Sequence, residues 1–297
     1  MSKLNLFLGS IRLPFLILTP SCVFLGLGTA LPSTQHVSLS LFIVALIGAV
    51  SAHISVNAFN EYFDFKSGLD FTTERTPFSG GSGVLPAHPH YARQVLGIAC
   101  ATFAITCVIG LYFLYLRGIA LLPLGLLGLF TVAAYTPWLA RHPFLCLIAP
   151  GAGFGPLMVM GTDFVLTGAY SWSAFTASLI PFFLVNDLLL LNQFPDVDAD
   201  RRVGRKNIPI VIGRRRSSIL FGLLLLFAYL SIAAGVYYNV LSGTSLIGLG
   251  TAVLALPAAF GAYRYAEDIK RLSPYMGLNV AVAVITPVLV AIGLLVG

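Results

Sequence analysis

Long apolar runs with almost no charge recur along the whole chain, and they constrain its fold more than any other feature. A helix of about 20 apolar residues crosses a bilayer, and backbone groups in lipid must be hydrogen-bonded within their own segment. The runs are too long and too uniformly apolar for barrel strands. The sequence therefore predicts an all-α, polytopic membrane protein, and 58% hydrophobic with only 9% charged residues fits that class. Nine transmembrane helices are predicted, near residues 10–31, 38–60, 92–115, 118–136, 143–166, 172–195, 217–240, 244–262 and 276–297.

The distribution of basic residues predicts how these helices are oriented. With a cytoplasmic N-terminus, every Lys and Arg except Arg117 falls in a cytoplasmic segment, which is the asymmetry that orients membrane proteins. We therefore expect a single domain over residues 1–297 in the lipid bilayer of a bacterial or archaeal plasma membrane, with its polar motifs facing the cytoplasm. This bias already accounts for the net charge of +6, so no nucleic-acid partner is expected.

Two polar strings stand where long apolar runs meet basic loops. The first is NAFNEYFDFKSGLD, residues 57–70, and the second is NQFPDVDADRRVGR, residues 192–205. The pair Asn60 and Asp64 in the first string has the same spacing as Asn192 and Asp196 in the second. Because each pair ends the second predicted helix of a set of four, the pattern predicts two pseudo-repeated four-helix halves plus one helix, with the motifs facing each other.

Helical periodicity predicts which side chains of the first string share a face. At 100° per residue, one arc of about 100° contains the side chains of Asn57, Asn60, Glu61 and Asp64. Gly68 is expected to end the helix, because glycine is favoured just beyond helix C-termini. Asp70 could then fold back towards Asp64.

The same reasoning applies to the second string. If the helix continues, Asn192, Asp196 and Asp200 fall within an arc of about 80°. Asp198 points nearly opposite Asp196 and is excluded as a first-choice ligand. Pro195 is a position at which the helix could kink, which would alter this phase.

The composition of the two strings indicates a metal and phosphate site. Carboxylate and amide oxygens favour hard divalent cations, and Mg²⁺ is commonly shared between a few carboxylates and substrate phosphates. Cations able to contact phosphate oxygens follow the last acid of the second string, Asp200, at once, namely Arg201, Arg202, Arg205 and Lys206. Acid, metal and base together suggest a diphosphate. The alternative interpretation is that the acidic residues only keep the helix ends in contact with water, and that the basic residues only orient the helices in the membrane.

With these motifs, the chain resembles the UbiA superfamily of intramembrane prenyltransferases over nearly its whole length. The patterns N-x-x-N-x-Y-x-D-x-x-x-G-x-D from Asn57 and N-x-x-x-D-x-x-x-D from Asn192, with FGPLMVMG from Phe154, resemble its menaquinone-type branch. The RTPFSGGSG segment, residues 75–83, departs from that branch. The resemblance implies Mg²⁺-dependent transfer of an isoprenoid chain from a polyprenyl diphosphate to an aromatic acceptor such as a dihydroxynaphthoate.

The resemblance also implies roles for individual residues. Asp64 and Asp196 would be catalytic, and two Mg²⁺ ions would be held, one by Asn60, Asp64 and Asp70 and the other by Asn192, Asp196 and Asp200. Further candidates for substrate binding are Arg12, Asn57, Lys66, Arg75, Tyr135, Arg141, Arg201 and Lys206. His53, one turn before Asn57, could line the acceptor pocket or remove a proton, or it could be a hydrogen-bonded structural residue.

A membrane transporter or cation channel is the rival interpretation. Repeated halves and acids within apolar runs, such as Asp163 and Asp187, suit transport. Against it, the motif acids gather at the inner ends of the predicted helices, and the apolar spans offer no continuous polar path. Mg²⁺-dependent release of diphosphate from a prenyl donor would separate the two interpretations.

Overall fold

The computed structural model of the chain describes residues 3–34, 36–73 and 75–297, and every regular element in that part is a helix. The α-helices are α1 Lys3–Ser10, α2 Leu18–Ala30, α3 Leu39–Ser67, α4 Val84–Ala87, α5 Ala92–Arg117, α6 Leu122–Ala134, α7 Pro143–Ala152, α8 Gly161–Thr167, α9 Trp172–Asn192, α10 Val197–Arg202, α11 Ile208–Ile212, α12 Arg214–Tyr237, α13 Ala252–Arg264 and α14 Ile269–Val296. Short 3₁₀ helices cover Leu13–Ile17, Leu31–Ser33, Leu69–Phe71, Pro89–Tyr91, Ile119–Leu121, Leu139–Arg141 and Gly243–Thr251, and a π-helix covers Gly153–Met160. The all-α prediction is confirmed.

Eight helical segments of the described chain are long and apolar enough to cross a membrane. They are Leu13–Ser33, Leu39–Ser67, Pro89–Arg117, Pro143–Thr167, Trp172–Asn192, Arg214–Tyr237, Gly243–Arg264 and Ile269–Val296. The predicted span at 118–136 corresponds to a shorter apolar helix, Ile119–Ala134, so the count of nine full-length spans is not confirmed. The two pseudo-repeated halves likewise stay a prediction.

The fourth of these eight segments, Pro143–Thr167, changes its helical winding midway. Pro150 and Pro156 lie inside it, and each removes one backbone N–H and crowds the preceding turn. Between α7 and α8 the chain accommodates these prolines by forming the π-helix Gly153–Met160. This irregular stretch places the Phe154 and Met158 side chains on a large internal cavity.

Close packing around α9 forms the main core of the bundle. Gly155 lies against α9, where a Cβ would lie only 2.9 Å from the Phe182 side chain, so glycine permits this approach. On the other side of α9, Phe221 of α12 and Met276 of α14 are fully buried in the same apolar cluster. This cluster fixes the C-terminal end of α9, which carries the second polar motif.

Candidate active site

The first motif lies on the last turns of α3 and on the 3₁₀ helix that follows. Gly68 ends α3 with φ 81°, a left-handed conformation that favours glycine, and its N–H donates to the Asp64 and Phe65 carbonyls. The chain then reverses through Leu69–Phe71, and the buried Asp70 side chain reaches the same cavity as Asp64. The expected helix end at Gly68 and the return of Asp70 are both confirmed.

The second motif does not lie on one continuous helix. The prediction that α9 carries Asn192, Asp196 and Asp200 on one face is wrong, because α9 ends at Asn192 and α10 begins only at Val197. Pro195 lies in the intervening turn and cannot donate the backbone hydrogen bond that a continuing helix requires. The three side chains nevertheless line one cavity. Asp198 faces away, as predicted, with its side chain 70% exposed and 3.6 Å from Arg214.

The Arg205 guanidinium joins the two motifs. Its Nη2 bonds the Asp64 Oδ1 atom of the first motif, and its Nη1 lies 3.3 Å from the Asp200 Oδ1 atom of the second. Gly204, with φ 76°, turns the chain after α10, and the Arg205 N–H donates to the Asp200 carbonyl at 3.0 Å. Asn207 donates to the other Asp200 carboxylate oxygen at 2.8 Å. The two polar strings, which are remote in sequence, therefore meet at one point.

A cavity of about 680 Å³ extends from this point into the bundle. Its polar end is lined by Asp64, Asp70, Asp196 and Asp200, together with Arg12 and Arg205. Its remaining wall is apolar and reaches Ala45 on α3, Leu111 on α5 and Leu122 on α6. Asp64 and Ala45 lie about 28 Å apart along α3 at 1.5 Å per residue, so the cavity runs through most of a bilayer's thickness.

Glycines of the SGGSG segment cover the polar end. Gly80 and Gly81 line the cavity with φ 85° and 72°, and a Cβ on Gly81 would lie 2.7 Å from Asp70 Oδ1. Glu61 anchors the segment, since its fully buried carboxylate accepts hydrogen bonds from the Ser82 N–H, at 3.3 Å, and from the Ser82 hydroxyl. The structure thus places this segment, residues 79–83, over the carboxylates.

Burial makes the carboxylates at the polar end hard to ionise without a cation. The pKa of Asp70 is raised to about 7, first by burial and then by the neighbouring Glu61 and Asp64 carboxylates. Burial, and then Asp200, raises the pKa of Asp196 to about 7. The pKa of Asp200 is also raised by burial, against the opposing effect of Arg205. A divalent cation would reverse this cost by favouring the ionised forms.

The oxygen donors at the polar end fit a hard cation. The Asp70 Oδ2, Asn192 Oδ1 and Asp196 Oδ1 atoms are buried without a hydrogen-bond partner, and all three residues line the cavity. Such orphaned oxygens are costly unless a donor or a metal ion satisfies them. Within the described chain, no three His, Cys, Asp or Glu side chains converge tightly enough to hold a metal on their own. A Mg²⁺ site here would combine carboxylate with amide and substrate oxygens.

Several predicted side chains reach the cavity. His53, Asn57, Asn60, Tyr135 and Arg12 all line it. His53 is buried, with its Nδ1 atom 2.8 Å from the Thr19 hydroxyl and its ring edge-on to Phe154 at 4.8 Å. It is thus both a hydrogen-bonded core residue and part of the cavity wall, and a role in proton removal stays a prediction.

Other predicted contacts do not reach the cavity wall. Outside it lie Lys66, Arg75, Arg141, Arg201 and Lys206, all of them exposed. Lys66 sits over the Tyr62 ring at 5.8 Å, and the Arg75 guanidinium packs against Gly83. Their positive charge suits phosphate binding, but in the structure none of the five lines the cavity that holds the carboxylates.

Sequence reasoning did not single out Arg205 from its basic neighbours, nor identify Asn207. The usable signal was Gly204, which ends α10 and turns the next residue back towards Asp200. Cys146 also lines the cavity, where it accepts a hydrogen bond from the Gln193 amide at 3.4 Å. No pattern in the sequence indicated that position.

Comparison with known proteins identifies the family. The UbiA prenyltransferase family matches residues 20–292. This chain belongs to the UbiA prenyltransferase family. It is therefore a multi-pass membrane prenyltransferase, as the resemblance of its motifs predicted.

Individual relatives agree with the UbiA assignment. A 1,4-dihydroxy-2-naphthoate octaprenyltransferase of Bacillus subtilis (strain 168) is 30% identical over 217 residues, covering 72% of this chain and 68% of that protein. The UbiA prenyltransferase domain-containing protein 1 of Homo sapiens is 28% identical over 252 residues, covering 80% of this chain and 69% of that protein.

Solved structures share the UbiA fold with this chain. The apo structure of a UbiA homolog from Aeropyrum pernix K1 has a TM-score of 0.72 at 19% identity, covering 95% of this chain and 97% of that one. A UbiA homolog from Archaeoglobus fulgidus bound to GPP and Mg²⁺ has a TM-score of 0.60 at 15% identity, covering 96% of this chain and 99% of that one. At these identities the likeness establishes the fold alone.

Proposed function

We propose that this UbiA-family enzyme transfers an isoprenoid chain from a polyprenyl diphosphate to an aromatic acceptor, a dihydroxynaphthoate, with the help of Mg²⁺. The observation that carries the proposal is the single cavity that joins the four motif carboxylates to a long apolar channel. A polyprenyl diphosphate has the same division, with a compact anionic head and a long apolar tail. One end of the cavity suits the head through metal and guanidinium contacts, and the other suits the tail.

The binding of the donor head involves both motifs. Asn60, Asp64 and Asp70 would hold one Mg²⁺ and Asn192, Asp196 and Asp200 a second, since the orphaned oxygens Asp70 Oδ2, Asn192 Oδ1 and Asp196 Oδ1 belong to these two sets. Arg12 and Arg205 line the same end and would bind diphosphate oxygens. The Archaeoglobus relative carries GPP together with Mg²⁺, which supports the same pairing here.

The reaction that fits this site begins by breaking the allylic C–O bond. The bonding electron pair leaves with the diphosphate, and a ring carbon of the acceptor then forms the new C–C bond to the allylic cation. Mg²⁺ supplies charge neutralisation for the leaving diphosphate, an effect that is stronger in the transition state than in the bound donor. The ring regains aromaticity by losing a proton or a carboxylate as CO₂.

The apolar wall protects the allylic cation. Water would compete with the acceptor ring for the cation, and the channel beyond the carboxylates presents mainly carbon to the donor tail. The Phe154 and Tyr135 rings line the cavity, and an aromatic face can stabilise a nearby carbocation. His53 is placed between Thr19 and Phe154, where it would contact the acceptor.

The choice of acceptor rests on the Bacillus relative, which acts on 1,4-dihydroxy-2-naphthoate as its name states. A place in menaquinone-type quinone synthesis follows from the same relative. The distribution of Lys and Arg supports a site on the cytoplasmic side of the membrane, and we infer that this membrane is a bacterial or archaeal plasma membrane. Asp187, one of the two acids that suited transport, does not line the cavity. It instead accepts a hydrogen bond from Asn279 at 3.0 Å, which weakens the transport alternative.

The proposal is tested by product analysis with purified protein in detergent. EDTA-stripped protein is incubated with GPP or longer prenyl diphosphates and with a panel of dihydroxynaphthoate and hydroxybenzoate acceptors, with and without Mg²⁺. Mass spectrometry should detect a prenylated naphthalene only when Mg²⁺ is present. A product from hydroxybenzoate alone would reject the acceptor, and Mg²⁺-independent turnover would reject the metal requirement.

A further inference from the structure

The Arg205 guanidinium contacts carboxylates of both motifs at the same time. Its side chain is 17% exposed, and its two terminal nitrogens contact Asp64 from α3 and Asp200 from α10. Given the proposed Mg²⁺ chemistry, we propose that Arg205 is the counter-cation of the metal-free site. It competes with Mg²⁺ for Asp64 and Asp200, and it moves to the diphosphate when metal and donor bind. This inference rests on the proposed function and goes beyond it.

The contacts of Asp200 and Asp64 show why Arg205 must move before these carboxylates can bind Mg²⁺. One Asp200 oxygen accepts from Arg205 at 3.3 Å and the other accepts from Asn207 at 2.8 Å. The Asp64 Oδ1 atom is also engaged by Arg205. Mg²⁺ requires near-octahedral oxygen ligands at short distance, and a guanidinium on the same oxygens would be both a steric and a like-charge obstacle. Coordination of Mg²⁺ through these Asp64 and Asp200 oxygens therefore requires displacement of Arg205.

The charges at the polar end explain what Arg205 does before metal arrives. Four carboxylates line the cavity, those of Asp64, Asp70 and Asp200 buried and that of Asp196 half-buried, and bringing them together without a cation is unfavourable because burial and like-charge repulsion add. An arginine stays protonated in proteins, so the Arg205 guanidinium supplies a positive charge in direct contact with Asp64 and Asp200. Arg205 thus keeps the two motifs together in a geometry that a metal ion can use.

The donor supplies the destination for the displaced guanidinium. A planar guanidinium pairs with two phosphate oxygens as well as with two carboxylate oxygens. No charge is left unpaired in this exchange. The carboxylates that lose Arg205 gain Mg²⁺, and the diphosphate gains Arg205. The exposed neighbours Arg201 and Lys206 do not contact the carboxylates and are not part of the exchange.

The test measures metal binding without donor or turnover. Full-length protein stripped with EDTA is titrated with Mn²⁺, and free Mn²⁺ is measured by electron paramagnetic resonance. Arg205→Gln should bind Mn²⁺ about tenfold more tightly than the unmodified protein, since one charge-assisted contact no longer has to be broken. Its thermal unfolding midpoint in EDTA should fall, and Mn²⁺ should raise that midpoint more than in the unmodified protein.

Two further variants secure the interpretation. Arg216→Gln removes the same charge from an exposed position at the start of α12 and should leave Mn²⁺ affinity unchanged within about twofold. Arg205→Lys keeps the charge but replaces the two-pronged donor by a single ammonium, so its Mn²⁺ affinity should lie between the other two. If Arg205→Gln does not fold, Mn²⁺ binding by Arg205→Lys provides the test.

The outcomes separate this inference from the proposed function. If the unmodified protein binds Mn²⁺ and makes product while both Arg205 variants bind Mn²⁺ equally or more weakly, then Arg205 does not compete with metal and the inference fails. If the unmodified protein neither binds Mn²⁺ nor makes product, the proposed function itself fails. Tighter Mn²⁺ binding combined with weaker binding of inorganic diphosphate in Arg205→Gln would support the exchange of partners.

Discussion

Two sides of the helical bundle are built to different physical requirements. In the most apolar window of α9, 67% of the residues are buried, whereas in the window that includes α5 only 11% are. The α9 side packs tightly against α12 and α14. The side formed by α3, α5 and α6 borders the long cavity, and none of the α6 residues is buried. The mean hydropathies of the helices on the two sides overlap, so hydropathy alone does not distinguish the sides.

The difference shows how one bundle can be both rigid and accessible. A tightly packed side fixes the end of α9 and therefore the second motif. A loosely packed side leaves room for a flexible apolar chain between helices that face lipid. The two sides meet at the polar end, where Arg205 connects Asp64 on the open side to Asp200 next to the packed side.

Loss of a motif carboxylate should have the largest effect on activity and a small effect on the fold. Asp64→Ala or Asp196→Ala should lower turnover by about a thousandfold or more, because charge stabilisation of the leaving diphosphate is lost. The measurement is product formation by mass spectrometry, with the elution profile in detergent as a check of folding. Near-normal turnover in either variant would remove that residue from the metal site.

A cavity made on the packed side should affect stability instead. Phe221 of α12 is fully buried, and Phe221→Ala should lower the free energy of unfolding by about 3–5 kcal/mol. Phe227 of the same helix is 46% exposed, so Phe227→Ala is the matched control and should change stability far less. Thermal unfolding in detergent measures both. Equal losses in the two variants would mean that the two faces of α12 do not differ in packing.

A side chain added on the open side should change which donors are used. Gly128 of α6 lines the cavity, and a Cβ there would meet no atom within 4 Å. Gly128→Leu should therefore fill the channel and lower turnover of long donors by about tenfold while sparing GPP, with stability unchanged. Gly97→Leu, on α5 outside the cavity, also adds a side chain in open space and is the control. An equal loss with all donors would show that the tail lies elsewhere.

Sequence reasoning identified the elements of this architecture better than their junctions. Membrane class follows from apolar run length, and the turn at Gly68 follows from glycine at a helix end. The break of α9 at Asn192 was not predicted, although Pro195 marked the position. The choice of Arg205 among four nearby basic residues depends on a turn and on tertiary contacts across 141 residues. Helical periodicity relates residues a few positions apart, so it gives no information about contacts between residues this far apart in the sequence.

The smallest expected effect concerns Asp198, the motif acid that faces away from the cavity. Its side chain is 70% exposed and pairs with Arg214 at 3.6 Å, an arrangement typical of a weak surface ion pair. Asp198→Asn should therefore change turnover by less than about twofold and stability by less than about 1 kcal/mol. Steady-state kinetics should be measured for Asp198→Asn and for Asp196→Asn, because the second variant makes the same substitution at a carboxylate that lines the cavity. A loss in Asp198→Asn as large as that in Asp196→Asn would mean that α10 rotates when substrate binds, so that the polar end, where the two sides meet, is remodelled during the reaction.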